Sequence, residues 1–502
     1  MLALRRRLLT PGLLRPVGLR ALSTKPAPNV LDELDERGFV AATTSPELRS
    51  HLDSKTTVYA GVDPSASSLH VGNLLPLLGL LHFRARGHHA LALRNALDKE
   101  TLATNVAGIT NQVNRFFERG IEYAKKRGYD PEATEKGYRV LNNHDWFKDM
   151  SFLDFLRDVG KYARVNTMLA RESVKTRLDS DAGISFTEFS YQLLQAHDFN
   201  VLYRSEGCRV QLGGSDQWGN IVAGIDMIKR TRAADAAQAE AAARAAAAAE
   251  AEAAKAQEGG KKTKGKQAAA VKKEEEEKEV KKEEEPAFGI TIPLLTTASG
   301  EKFGKSAGNA VWLDETRTSV SDFYQFFFRA TDADVEKYLN VLTLLPPAEI
   351  KAVMAQHRSN PRSRHAQRTL AREVTELVHG PSGVAQAELL ATILFAPSLR
   401  DVKSSQVLEI IESGASDPRF RRVHRKDLKG KPVTKLAVEY GLTKARSEAA
   451  RIVSSKGMTL NGDVVNDPRR EIRVQELIDG HIAVLRKGNK DAIVFYVDRD
   501  DL

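Results

Sequence analysis

Cysteine is nearly absent from this 502-residue chain. The single one, Cys208, excludes an intrachain disulfide and any zinc or iron–sulfur centre built on several thiolates. Aromatic residues are sparse at 7%, yet 42% of the chain is hydrophobic, which supports a sizeable core and excludes wholesale disorder. No apolar run approaches the ~20 residues of a spanning helix, so no membrane partner is expected. Acidic residues are missing before Asp32, while Arg5, Arg6, Arg7, Arg15, Arg20 and Lys25 supply six of the nine net positive charges. An arginine-rich, acid-free, partly amphipathic leader predicts a mitochondrial transit peptide over residues 1–28 and a matrix location; a basic arm without a partner is the alternative.

The length suggests two to four domains. Residues 232–286 break the composition, passing from an alanine tract through Gly259-Gly260 into Lys/Glu blocks. These residues favour helix but offer no apolar stripe for docking, which predicts a solvated insertion, part helical and part disordered. It interrupts a region, 29–320, in which short apolar runs alternate with amphipathic stretches. That alternation predicts an α/β fold with βα units around a parallel sheet. Strand signals vanish over 321–416, where helical spacing predicts a bundle. A basic linker, 417–430, leads to a small α+β module over 431–502.

Two elements carry phosphate chemistry. A strand ending at Val62 is followed by a Pro/Ser turn and a helix start at His70-Val71-Gly72-Asn73. Such a strand-to-helix turn presents backbone N–H groups and a helix dipole to an anion. Gly72 permits close approach and His70 can donate to a phosphate; a structural histidine at a helix start is the competing reading. The second element, Lys302-Phe303-Gly304-Lys305-Ser306, follows an apolar strand. Its two lysines can close over a pyrophosphate, although the Walker spacing is absent and a solvated loop is the alternative. A third element is a helix on which Tyr191 and Gln195, four apart, and Asp198, three further, share one face.

The His-x-Gly-Asn turn followed much later by Lys-x-x-Lys-Ser resembles the signature pair of class I aminoacyl-tRNA synthetases. Tyr59 in YAGVDPSASSLHVGN, residues 183–198 (GISFTEFSYQLLQAHD), residues 211–220 (QLGGSDQWGN) and KFGKS narrow the resemblance to tyrosyl-tRNA synthetases of the bacterial and mitochondrial type. NNHDWF at 142–147 adds to it. The resemblance implies a Rossmann-type catalytic domain at 29–320, a helical anticodon-binding domain at 321–416 and a C-terminal RNA-binding module. It implies a tyrosine pocket in which Tyr59 and Asp198 bond the substrate phenol while Tyr191 and Gln195 meet its amino end. Gly61, Asp63, His70, Gly72, Asn73, Gly214, Asp216, Gln217, Lys302, Lys305 and Ser306 match ATP contacts, with Asp216 capping its helix as an alternative. His70, Lys302 and Lys305 would stabilise charge on the transferring phosphates. ATP is then a substrate that brings magnesium with it, and the partners are tyrosine, tRNA(Tyr) and a second copy of the chain.

Residues 442–463 resemble a small RNA-binding module shared by a ribosomal protein and pseudouridine synthases. They place Lys444, Arg446, Arg451 and Lys456 on a helix and its turn, ahead of an Asn461-Gly462 hairpin signal. One departure stands out. The family pattern carries a glycine-rich run after its second strand, whose aspartate holds the substrate's amino group. Here Leu93 is followed directly by Arg94-Asn95-Ala96-Leu97-Asp98. Impaired tyrosine activation is the expectation from that absence. The alternative function is a non-catalytic RNA-binding derivative, since some fungal mitochondrial members of the family also act on intron RNA.

Overall fold

The computed structural model describes residues 28–62, 68–94, 100–130, 137–179, 183–257, 286–300, 303, 305–306, 309–396, 398–412, 417–488 and 491–498. The expected leader lies outside them but for Pro28. Six strands form the principal sheet: β1 (Ala42–Thr43), β2 (Thr57–Val62), β3 (His89–Arg94), β4 (Tyr138–Asn142), β5 (Cys208–Gly214) and β6 (Phe288–Ile292). Their order is β1-β6-β5-β2-β3-β4, parallel throughout except for the short edge strand β1. All five residues of β6 are buried, as are five of the six in β2. Such near-continuous burial is what a strand covered on both faces requires.

Helices Leu74–Ala85, Glu100–Lys126, Phe186–Ser205 and Trp218–Gln257 supply that cover. From β2 the chain moves outward through β3 to β4, then returns to place β5 on the other side of β2. The strand order therefore reverses between β2 and β5, and a crevice opens there beyond the carboxyl ends of the strands. The fold class is thus the Rossmann-type α/β arrangement.

The insertion differs in one respect from a separate element. Its first part is the outer continuation of the 40-residue helix Trp218–Gln257, whose Ile221, Ile225, Ile228 and Thr231 are buried whereas residues 236–252 are all exposed. Alanine's high propensity lets a helix already nucleated on the sheet propagate outward without a docking face. Over residues 232–257 this extends about 39 Å at 1.5 Å per residue. Residues 258–285 lie outside the description.

Beyond the sheet, helices Val320–Phe328, Val335–Leu342, Pro347–Ser359, His365–Phe395 and Ser404–Glu412 follow, the fourth broken at Gly380 (φ 78°) before Pro381. Phe323, Leu339 and Leu370 share one apolar cluster with Val58 and Leu78 of the sheet layer, so the core is continuous across residue 320. The C-terminal region folds on a second, five-stranded sheet. Its edge strand, Phe420–His424, pairs parallel with Asp491–Asp498. Residues 417–430 are accordingly not a plain linker. Phe420 and Val423 are buried between arginines, too sparse a pattern to announce a strand until the last strand pairs with it.

Candidate active site

Strand β2 carries Tyr59 into the interior, where its ring is 1% exposed and packs 5.2 Å from Phe199. The phenol oxygen has no hydrogen-bond partner among the described residues. Burial, reinforced by the charge of Asp198, pushes its pKa well above the ordinary value, so it stays a protonated donor. Facing it is helix Phe186–Ser205, started by a capping box in which Ser185 and Glu188 satisfy each other's backbone N–H groups. The helix presents Tyr191, Gln195 and Asp198 to the same cavity as Tyr59. Asp198 is 1% exposed, and its two carboxylate oxygens accept hydrogen bonds from Trp146 Nε1 (2.9 Å) and Asn143 Nδ2 (3.3 Å). A buried, unpaired hydroxyl beside an oriented carboxylate is costly unless a ligand completes it. A phenol can accept from the first and donate to the second.

The turn between β2 and the next helix holds His70. It is the N-cap of the 3₁₀ turn Val71–Asn73, with Gly72 N–H donating to its Nδ1 (3.0 Å) and its own N–H donating to Asn73 Oδ1 (3.0 Å). The capping and pocket-lining readings therefore both hold. Because Nδ1 accepts, the imidazole proton resides on Nε2. Gly72 is obligatory for this ring position, since a Cβ there would meet His70 Cε1 at 2.7 Å. Gly61 is the exposed member of an otherwise buried strand, and a Cβ on it would project into open space in the cavity.

Strand β5 ends in Gly213-Gly214, the N-terminal flank of the turn Ser215–Gln217. No side chain caps that turn, and Asp216 sits inside it, so capping does not account for Asp216. A Cβ at Gly214 would lie 2.4 Å from Asp216 Oδ1, which explains the glycine. A polar chain crosses this wall: Gln217 Nε2 donates to Asp216 Oδ2 (3.3 Å), and Asn220 Nδ2 donates to Gln217 Oε1 (3.2 Å) and Gln195 Oε1 (2.9 Å).

A cavity of about 540 Å³ opens at the sheet's switch point. Tyr59, Tyr191, Gln195, Asp198, Gly61, His70, Gly72, Asn73, Gly214, Asp216 and Gln217 are gathered there. Asp63 and Lys302 lie outside the described residues. Lys305 and Ser306 are described in backbone only, as a short strand paired with Asn309–Ala310. Between the lysines, Phe303 reaches the cavity wall and is buried against Tyr338, Phe326 and Phe327. Leu93 also lines the cavity; β3 pairs normally with both neighbours through Arg94, and the connection to Glu100, residues 95–99, is outside the description. Asn143, Trp146 and Asn220 were not singled out by role in the sequence. Their signal lay in NNHDWF and QWGN, where Asn143 and Trp146, one helical turn apart, can reach a common acceptor. Lys444, Arg446, Arg451 and Lys456 are exposed in the C-terminal region, away from this cavity.

The family model for class I tRNA synthetases (W and Y) matches residues 51–396. Among characterised relatives, the mitochondrial tyrosine–tRNA ligase of Saccharomyces cerevisiae is 40% identical over 73% of this chain and 70% of its own length. The tyrosine–tRNA ligase of Opitutus terrae is 37% identical over 92% of this chain and 98% of its own. A C-terminally truncated mitochondrial tyrosyl-tRNA synthetase from Coccidioides posadasii superposes with a TM-score of 0.56 at 33% identity, covering 72% of this chain and 91% of that one. The chain belongs to the class I aminoacyl-tRNA synthetases, and within them to the tyrosine–tRNA ligases.

Proposed function

We propose that the cavity at the switch point activates tyrosine with ATP and then passes the tyrosyl group to tRNA(Tyr) in the mitochondrial matrix. The observation that carries this reading is the unpaired, protonated Tyr59 hydroxyl beside Asp198, whose carboxylate is fixed by Trp146 and Asn143. Together they bond a substrate phenol; phenylalanine would leave both buried groups unmatched. Tyrosine's carboxylate attacks the α-phosphorus of ATP and pyrophosphate leaves, so the protein supplies position and donors rather than a nucleophile. His70 Nε2–H, the N–H groups of its turn, Lys302 and Lys305 serve the phosphates, with Ser306 beside them. Gly61, Gly72 and Gly214 leave room for the nucleotide, and Asp216 takes the ribose hydroxyls while Gln217 and Gln195 hold polar atoms of the two substrates. Asp63 joins the ATP contacts. Magnesium arrives on the phosphates, since Asp198 is already occupied by two donors and no protein cage is needed.

In this reading the helices of 321–416 receive the anticodon arm. Lys444, Arg446, Arg451 and Lys456 bind RNA phosphates, a contact that weakens steeply with salt. The acid-free leader over residues 1–28 supports import. Exposed Phe152, Leu153, Leu156, Val165 and Leu169 lie between β4 and the tyrosine-binding helix, with exposed Phe186 opening that helix, and this concentration of exposed apolar side chains supports a homodimer there.

Amino-acid-dependent ATP–pyrophosphate exchange on the chain as written tests the reading, with tyrosine, phenylalanine and tryptophan compared. Exchange with tyrosine alone is expected, slowed by the missing glycine-rich run. Exchange driven by tryptophan or phenylalanine overturns the tyrosine pocket, and none with any of them overturns activation by this chain.

A further inference from the structure

The signature turn is pinned from outside itself, by a side chain that no motif includes. Helix Glu100–Lys126 buries Ile109, Val113 and Phe116 in the core, and Gln112 lies between them, half-buried at the helix edge. Its Oε1 accepts the Leu69 N–H at 2.9 Å and the Ser68 hydroxyl at 3.1 Å. Leu69 and Ser68 are 1% and 4% exposed, so that N–H has no solvent to fall back on. On the opposite side Leu69 C=O accepts Leu313 N–H (2.8 Å), and Val71 N–H donates to Val311 C=O (2.9 Å). His70 is the residue between these clamps. Its Nδ1 is already committed to Gly72, so the direction of Nε2–H follows the backbone that the clamps hold.

We infer that Gln112 is a positioning residue for adenylate formation: its side-chain carbonyl fixes the Ser68–Leu69 backbone and thereby aims His70 at the phosphates. This rests on the proposed function. It has a particular meaning in this chain, because Gln112 stands on the helix entered directly from the connection where the family's glycine-rich run is missing. The bond from Gln112 ties that helix to the turn independently of the connection.

The test compares Gln112→Met, which keeps the side chain's length and removes the acceptor, with Gln112→Glu, which keeps an acceptor oxygen. Two readouts are taken on the full chain, with the thermal midpoint monitored. The first is pyrophosphate exchange, resolved into kcat and the KM for tyrosine. The second is the ring ¹⁵N signature of His70, assigned by its loss in His70→Gln. For Gln112→Met a fall in kcat of about ten- to a hundredfold is expected, the scale that small misplacements produce, with the KM for tyrosine unchanged. The His70 ring ¹⁵N shifts should also move in Gln112→Met, as the ring's direction and surroundings change, and Gln112→Glu should restore both. An unaltered His70 signature in Gln112→Met overturns the inference. So does an equal loss in both variants accompanied by a lower thermal midpoint, which would mark plain packing. If the wild-type chain shows no exchange, the proposed function fails while the ¹⁵N readout still decides this point.

Discussion

Asp198 and His70 illustrate how a polar side chain becomes a tool only through its neighbours. A carboxylate in an apolar interior is costly, and here Trp146 and Asn143 offset that cost while orienting the two oxygens. Hydrogen bonds to a charged group are worth about 1.5–3 kcal/mol, so Trp146→Phe should lower kcat/KM for tyrosine by roughly ten- to a hundredfold. Phenylalanine activation should not fall in parallel, which steady-state exchange with both amino acids will show. In the proposed function His70 acts differently, on developing phosphate charge. Losing one such donor typically costs about 3 kcal/mol, so His70→Ala should slow adenylation about a hundredfold in single-turnover measurements while tyrosine affinity stays close to wild type. Tyr59 and Asp198 could be expected in one pocket from the sequence because a resemblance matched them residue by residue, and they line one cavity. Trp146 could not be given its role, since nothing in NNHDWF states which acceptor it will meet.

At the scale of elements, burial decides what matters. The helix Trp218–Gln257 has two unlike halves: its first turns carry Asn220, which bonds Gln217 of the preceding turn, and pack on the sheet, whereas residues 236–252 touch solvent throughout. Replacing residues 236–285 by a short flexible link should therefore leave tyrosine-dependent exchange and the thermal midpoint essentially unchanged. A fall in either would assign the insertion a part in folding or catalysis. The exposed apolar segment between β4 and helix Phe186–Ser205 makes the opposite prediction. For the proposed homodimer, Phe152→Asp combined with Leu153→Asp should shift sedimentation from dimer to monomer, because two charges at a contact of this kind cannot be desolvated cheaply.

At the scale of the molecule, a buried charge cluster on the first described helix, Val30–Glu36, links two of its regions. Glu33 lies 3.4 Å from Arg37 and 2.6 Å from Arg86, and it accepts the Tyr129 hydroxyl. Arg37 in turn donates to the carbonyls of Thr343 (3.0 Å) and Leu345 (2.9 Å), beyond helix Val335–Leu342. The cluster thus joins the sheet layer to the helical region that shares its core. Burial alone would raise the Glu33 pKa, but His82 at 3.3 Å first, then Arg86 and the Tyr129 hydroxyl, outweigh that and hold it far below the ordinary carboxylate range. A depressed folded-state pKa contributes stability that is fully present above the ordinary carboxylate value and lost as pH falls toward the folded one. Glu33→Gln should cost about 3–5 kcal/mol in urea unfolding at pH 7, by leaving buried guanidinium groups uncompensated. The difference from wild type should narrow steadily below about pH 4, because Glu33 is then protonated in the unfolded chain but still ionised in the folded one, and proton uptake favours unfolding.

The sequence by itself determined the α/β class, the helical region after it and the candidate groups of the pocket, because each rests on local patterns. Apolar runs made β2 and β6, a capping box started helix Phe186–Ser205, and the four- and three-residue spacing put Tyr191, Gln195 and Asp198 on one face. Only the tertiary structure decided the long-range pairings. Residue 59 meets residue 198 because the strand order reverses between β2 and β5. Residue 112 reaches residue 69, and residue 146 reaches residue 198, because helices cross the ends of strands distant in the chain. The edge strand Phe420–His424 exists because Asp491–Asp498 offers it a partner. Local propensity carries no record of contacts made through chain topology, and in this protein those contacts gather the candidate groups around one cavity.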